Sequence, residues 1–331
     1  MDRFRDTACV GARRPVLALL GAALLGPAGL RAQDGSKAWR IAFLAAGSAP
    51  RPGQFSTFDA ITAGLRERGY GALQTRAWFA DGRTDALPAL AQHLLAWQPD
   101  VIVTNLTPAT LAVQRATRSI PIVMAGTGDP VATGLVQSLA RPGGNVTGVS
   151  ALGPELAAKS IELLRELQPG LKRLGVLAHA TDSFTPAMLA AVMPAAAALG
   201  LQLQVERVAG PGDYAAVFER WRRQQAEAVF VQPSLPGAPA AELALQHGLP
   251  SCSFVRGFVA QGGLLAYAND LAEIARLVVD AVDRILRGAS PAQLPVQQNT
   301  RFGLLINLRT ARALGVAVPP VLLARATEVL E

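Results

Sequence analysis

The chain has 331 residues, of which 50% are apolar, 17% are charged and two are cysteines. This length is sufficient for two domains of ordinary size, and the apolar fraction excludes a disordered protein. Two cysteines exclude a disulfide scaffold and a thiolate zinc site, and the three histidines, His93, His179 and His247, lack metal-site spacing. We therefore expect neither a bound metal nor a cofactor.

Residues 1–32 have the pattern of an export signal, with a basic start and a small-residue cleavage site at residues 30–32. The dense apolar part, Val16 to Leu25, is 10 residues long. A membrane span needs about 20. The sequence therefore predicts a cleaved signal peptide over residues 1–32 and a periplasmic protein. Both the general secretory route and the twin-arginine route remain open.

The net charge of +7 depends partly on this signal, which carries five arginines and two aspartates. The exported chain would keep a net charge of +4, with no basic run interleaved with aromatic residues. A nucleic-acid partner is therefore not expected.

Short apolar runs alternate with amphipathic helical stretches from residue 40 onward. In the first half the predicted strands are 41–45, 73–79, 101–103 and 120–124, with helices between them. The same alternation restarts with strands at 174–177, 201–205, 228–231, 250–254 and 264–267, followed by a long helix at 271–286 and a strand at 302–307. Continuous apolar strands covered by helices are typical of parallel sheets. We predict an α/β fold of two doubly wound parallel-sheet lobes with a ligand cleft between them.

No catalytic motif accompanies this pattern. The sequence has no G-x-S-x-G elbow and no P-loop, and the glycines near Gly126 lack the third position of a dinucleotide fingerprint. We expect a binding protein rather than an enzyme, with no catalytic residues.

Candidate ligand-binding residues follow the predicted strands, because parallel strands bind ligands at their carboxyl ends. Ser48 and Thr107 could hold a carboxylate through hydroxyl and backbone donors, and Asp129 could pair with an ammonium group. Phe184 and Tyr267 could enclose an apolar part of the ligand. Each has an alternative interpretation: Ser48 and Thr107 as helix N-caps, Asp129 as part of an Asp-Pro turn, and the two aromatic residues as packing between the lobes.

Several segments resemble one known family. They are the run from Gly128 to Gly148 with its Leu-Ala-Arg-Pro-Gly-Gly turn, Glu162 to Arg173, Phe258 to Gly263, Asp283 to Gly288, Leu294 to Gln297, Leu304 to Gly315 and Leu323 to Ala326. In this order they are similar to ABC transporter substrate-binding proteins of the tryptophan/tyrosine type, over nearly the whole mature chain.

The resemblance implies the type I periplasmic-binding-protein fold, in which the chain crosses three times between two lobes. Lobe 1 would then comprise residues 39–145 plus 268–293, and lobe 2 residues 146–267 plus 294–331. The helix at 271–286 would return to lobe 1.

The expected function is an exported solute receptor of an ABC importer. It would bind a small zwitterionic or anionic solute, for example an amino acid, by closing its lobes, and then dock on a permease in the inner membrane as a monomer. Two alternatives stay open: a sensory binding protein that acts on a receptor kinase, and an enzyme on the same scaffold. A cytosolic repressor of this fold would need a DNA-binding segment where the signal stands.

Overall fold

The computed structural model describes residues 38–50 and 52–331. The predicted signal peptide at residues 1–32 lies outside the described residues. Within the described part of the chain, no helix combines the length and the apolar character needed to cross a membrane.

Strands and helices alternate along residues 39–331. The strands are β1 Trp39–Ala45, β2 Leu73–Phe79, β3 Val101–Asn105, β4 Ile122–Thr127, β5 Val146–Ser150, β6 Arg173–His179, β7 Gln202–Val208, β8 Ala228–Val231, β9 Ser251–Ser253, β10 Leu265–Asn269, β11 Gln297–Gln298, β12 Phe302–Asn307 and β13 Ala326–Leu330. The helices are α1 Thr57–Glu67, α2 Leu87–Ala96, α3 Thr107–Ala116, α4 Gly153–Leu167, α5 Thr185–Ala198, α6 Tyr214–Arg223, α7 Gly237–Gln246, α8 Arg256–Ala260, α9 Leu271–Leu286, α10 Leu308–Ala313 and α11 Pro320–Arg325.

The first sheet is entirely parallel, in the order β11-β5-β4-β3-β1-β2. Its side chains alternate between two buried faces, because successive residues of a strand point to opposite sides. Ile41 and Phe43 pack with α1 and α9, whereas Ala42 and Leu44 pack with α2 and α3. This sheet and these four helices are the first lobe.

The second sheet has the order β13-β12-β10-β9-β8-β6-β7 and is parallel except between β10 and β12. One face is covered by α4 and α5, where Val176 and Phe230 are buried, and the other by α6 and α7, where Leu177 and Val229 are buried. This sheet with α4–α8, α10 and α11 is the second lobe.

The chain passes between the sheets after Ser150, after Asn269 and after Gln298. As the resemblance implies, α9 packs on the first sheet, against α1 and β4. Two buried asparagines join the three connecting segments. Asn299 Nδ2 donates to Asn269 Oδ1 (2.6 Å), and Asn269 Nδ2 donates to the Ala151 carbonyl (3.2 Å).

Sheet membership differs from the predicted lobe boundaries in three places. The predicted boundaries place β5 and β11 in lobe 2, but both pair within the first sheet. They also divide β10 after residue 267, whereas the whole strand belongs to the second sheet. The strand β5 was not predicted, because its five residues contain two polar side chains and Gly148 instead of a long apolar run. We propose lobes of residues 38–150 plus 270–298 and 151–269 plus 299–331.

Candidate functional site

A cavity of about 460 Å³ lies between the two lobes. In the first lobe its wall is formed by the carboxyl ends of β1, β2, β3 and β4 with the loops that follow, and in the second lobe by the ends of β8, β9 and β10. Open α/β sheets bind ligands at this edge, because helix N-termini converge there. The volume is in the range of small-molecule sites.

Phenylalanine dominates the apolar part of the wall. Seven of the 11 phenylalanines line the cavity: Phe43, Phe55, Phe58, Phe79, Phe184, Phe254 and Phe258. Phe43 and Phe58 of the first lobe pack edge to face with ring centroids 4.5 Å apart, and Phe184 and Phe254 of the second lobe do so at 6.1 Å. Aromatic side chains on both lobes fit a ligand with a planar apolar group.

The helix α3 begins at this cavity without a side-chain cap. Its N-cap residue is Leu106, which has no polar side-chain atom and adopts φ 68°, a region that non-glycine residues rarely occupy. The Thr107 hydroxyl, which is 2% exposed, accepts from the Gly128 N–H at 3.4 Å. The uncapped N–H groups and the positive end of the helix dipole favour an anion at this place.

The second lobe presents a similar helix start. The N-cap of α7 is Pro236, which makes no side-chain cap, and Gly237 and Ala238 line the cavity. Helix N-termini from both lobes thus face the same space.

The second-lobe wall also contains a buried carboxylate. Asp182 is 7% exposed, and its Oδ1 and Oδ2 atoms accept from the Phe184 N–H and from Gln232 Nε2, each at 2.9 Å. Asp182 also lines a second cavity of about 450 Å³ between α2, α3 and residues 181–183.

One hydrogen bond between side chains spans the cleft. His179 is 1% exposed, and its Nδ1 accepts from the Thr181 N–H at 3.2 Å, so the ring proton is on Nε2. That atom faces Thr84 Oγ1 of the first lobe at 3.2 Å. Burial lowers the pKa of the imidazole, while the nearby Asp182 carboxylate raises it to a smaller extent. A neutral His179 therefore joins the lobes.

Two glycines of the first lobe allow close contact with the second. Gly82 lies against the ring of Pro236, and Gly128 lies against the ring of Phe184. A Cβ atom at either position would overlap that ring. The two lobes are therefore in direct contact around the cavity.

The structure brings three of the five predicted site residues to the cavity: Ser48, Thr107 and Phe184 line it. Asp129 and Tyr267 are not among its lining residues. Asp129 Oδ1 accepts from the Val131 and Ala132 N–H groups at 3.1 and 2.9 Å, as in the turn that was its alternative interpretation.

Tyr267 packs inside the second lobe and does not line the cavity, although its neighbours Ala268 and Asn269 do. The Tyr267 ring is half-buried against Phe302, with centroids 6.0 Å apart.

Asp182, Phe79 and Phe254 line the cavity but are not among the predicted site residues. Each phenylalanine is the last residue of a predicted strand, and in the structure each stands at or just after a strand end, where a side chain reaches the cavity. Asp182 directly precedes the Ser-Phe-Thr run that holds Phe184, so the position after β6 could have indicated it. Within residues 38–50 and 52–331, no group of three or more His, Cys, Asp or Glu side chains could hold a metal ion.

Comparison with known proteins gives matches over most of the chain. The family model described as ABC transporter substrate binding protein matches residues 49–330. The tyrosine-binding protein of Clostridioides difficile (strain R20291) is 26% identical over 248 residues, which are 68% of this chain and 66% of that protein. The match thus spans slightly less than two thirds of that relative's length.

Solved structures share the fold. The ABC domain in complex with L-Trp from Streptococcus pneumonia has a TM-score of 0.78 at 24% identity, covering 89% of this chain and 100% of its own. A substrate binding protein with adhesive properties from Clostridium difficile, in a ligand-free, open form, has a TM-score of 0.61 at 21% identity, covering 88% and 99%. The predicted fold, two α/β lobes of the type I periplasmic-binding-protein class, is confirmed.

Proposed function

The chain belongs to the ABC transporter substrate-binding protein family, and we propose that it is the exported receptor of an ABC importer for an aromatic amino acid. The observation that carries this proposal is the cavity between the lobes, where phenylalanines surround a space bordered by a buried carboxylate and uncapped helix N-termini. An amino acid with an aromatic side chain matches both kinds of surface.

The relatives support this ligand class. One is named for tyrosine, and another was solved with L-Trp. The rings of phenylalanine, tyrosine and tryptophan can each pack edge to face or offset against phenylalanine side chains.

Capture by closure is the proposed mechanism. Residues of both lobes line the cavity, so a ligand makes its full set of contacts when the lobes are together and thereby favours that state. The contacts of Gly82 and Gly128 across the cleft support a closed arrangement here. The closed form, as a periplasmic monomer without catalytic activity, would dock on a permease in the inner membrane.

Isothermal titration calorimetry of the purified protein against phenylalanine, tyrosine, tryptophan and non-aromatic amino acids tests the proposal. We expect binding of at least one aromatic amino acid. Phe254→Ala removes a cavity side chain and should weaken binding about tenfold or more, from about 1.5–3 kcal/mol of lost burial.

Phe218→Ala is the matched control, because Phe218 is fully buried in the second lobe and does not line the cavity. It should lower the stability of the fold and leave the affinity unchanged. Binding of no amino acid would refute the proposed ligand, and chemical conversion of the bound solute would favour an enzyme.

A further inference from the structure

The carboxylate of Asp182 is a negative charge buried among neutral partners. Its hydrogen-bond donors are the Phe184 N–H and the Gln232 amide. Among the ion pairs of the described residues, none involves Asp182. A buried carboxylate without an opposite charge is costly, so a cation brought by the ligand would stabilise it.

The orientation of the Gln232 side-chain amide places a hydrogen-bond donor against Asp182, so the Asp182 carboxylate acts as the acceptor. Gln232 Oε1 accepts from the His179 N–H at 2.9 Å and from the Thr185 hydroxyl at 3.0 Å. A backbone N–H can only donate, so Oε1 must face His179, and Nε2 then faces Asp182 and the Ser234 hydroxyl. Both Asp182 oxygens therefore accept a hydrogen bond, and a carboxylate oxygen that lines the cavity has the capacity to accept another.

The other charged groups of the cavity are less suited to discriminate an amine. The Asp81 carboxylate is exposed to water, which screens its attraction for a cation. Arg256 already forms an ion pair with Glu328. Asp182 is the carboxylate whose attraction for a cation is least screened.

The opposite wall suits the other end of an amino acid. The uncapped start of α3 and the hydroxyls of Ser48 and Thr107 belong to the first lobe. A carboxylate there and an ammonium group at Asp182 would place one ligand across both lobes.

We propose that Asp182 is the residue that requires a protonated amine on the ligand, so that the solute is a zwitterionic amino acid and not an anionic acid. This inference rests on the proposed function of solute capture in the cavity. It assigns the ammonium end to the second lobe and the carboxylate end to the first.

Matched ligand pairs test the requirement in the unaltered protein. Each aromatic amino acid is compared by calorimetry with the acid that lacks its amine: phenylalanine with 3-phenylpropanoate, and tryptophan with indole-3-propanoate. We expect the acid to bind about 30-fold more weakly or worse, since removing one partner of a buried charge pair usually has that effect.

The variant Asp182→Asn tests the assignment to this residue. The measured quantity is the ratio of the two affinities, which a merely structural effect would not change. We expect the preference for the amine to fall to a few-fold or less. Asp213→Asn is the control. Asp213 lies in the same lobe but outside the cavity, where its carboxylate accepts from the Ala209 N–H, so this variant should keep the full ratio of affinities.

Asp182→Ser repeats the measurement if the asparagine variant does not fold, since its hydroxyl can still accept from the Phe184 N–H. An unchanged ratio of affinities in the Asp182 variants overturns the proposal. So does the other pattern, in which Asp81→Asn loses the preference for the amine and the Asp182 variants keep it. If the unaltered protein binds acid and amino acid equally, the proposed function stands and the role of Asp182 fails. If it binds neither, the proposed function itself fails.

Discussion

Asp129 shows how a polar side chain after a strand can serve the backbone instead of a ligand. Its carboxylate accepts from two N–H groups of its own turn. We expect Asp129→Ala to lower the free energy of unfolding by about 1 kcal/mol, the usual cost of such a cap, and to leave the affinity for the amino acid within about twofold.

Urea unfolding and calorimetry of the same preparation measure both quantities for Asp129→Ala. Asp129→Asn keeps an acceptor oxygen and should recover most of the stability. A tenfold loss of affinity in Asp129→Ala would instead restore this residue to the site, where the sequence analysis placed it.

His179 should make the stability of the protein depend on pH. Its pKa is lowered in the folded state, chiefly by burial, so the unfolded state binds more protons at intermediate pH. The stabilisation is therefore complete above the ordinary histidine pKa of about 6.5 and is lost as the pH falls through the lower folded-state pKa. Urea unfolding at a series of pH values from 7.5 to about 5 measures this slope.

His179→Gln should reduce the slope of stability against pH in that window. His247→Gln is the control, since His247 packs against Phe218 of its own lobe and not across the cleft. If opening of the lobes exposes His179, ligand affinity should also decrease as the pH is lowered through the same window. Equal slopes in His179→Gln and in the unaltered protein would exclude this histidine as the source.

At the scale of elements, the end of β4 and the start of α5 meet across the cleft. A methyl group at Gly128 would overlap the Phe184 ring, which itself lines the cavity. Gly128→Ala should therefore weaken ligand binding about tenfold or more, because overpacking of this kind costs about 1–3 kcal/mol. Gly144→Ala is the matched control, since no atom lies within 4 Å of its added Cβ. Similar affinities in the two variants would contradict the contact.

The segments that connect the two lobes are held together by hydrogen bonds of buried asparagines. Asn299 is fully buried, and its Nδ2 also donates to the Arg301 carbonyl at 2.7 Å. Asn299→Ala leaves buried acceptors unpaired and should cost about 1–3 kcal/mol in the free energy of unfolding. It should also change ligand affinity, because these bonds join the segments about which the lobes would close.

Asn145→Ala provides the comparison for Asn299→Ala. Asn145 donates to the Thr117 and Ile120 carbonyls within the first lobe, so its loss should reduce stability without changing affinity. Unchanged affinity in both variants would show that the Asn299 bonds contribute to folding alone.

At the scale of the whole molecule, ligand binding should stabilise both lobes together. A ligand at 100 times its dissociation constant adds about 2.7 kcal/mol to the free energy of unfolding. Scanning calorimetry should then show an increase in Tm of several degrees, at about 2–4 °C per kcal/mol for domains of this size. A shift confined to one of two separate transitions would contradict binding between the lobes.

The strands of both sheets show which elements a local sequence pattern can predict and which it cannot. Trp39–Ala45, Leu73–Phe79 and Ala228–Val231 were predicted to within a few residues, because buried parallel strands are continuous apolar runs and their helices show a 3.6-residue period. The edge strands β11 and β13 were missed. They are short or partly exposed, and only pairing with a distant strand makes them strands at all.

The α/β class, most of the elements and the edge of the sheets at which the cavity lies can all be predicted from the residues alone, since they follow from periodicity and from the direction of parallel strands. Which strand-end residues face that cavity depends instead on contacts between distant parts of the chain. Asp129 and Asp182 both follow strands and both accept from the backbone N–H two residues on, yet Asp129 stays off the cavity wall while Asp182 is buried on it. That difference depends on how the second lobe packs, because packing places Gln232, 50 residues away in the sequence, where its amide donates to Asp182 Oδ2, and no local pattern records such a contact.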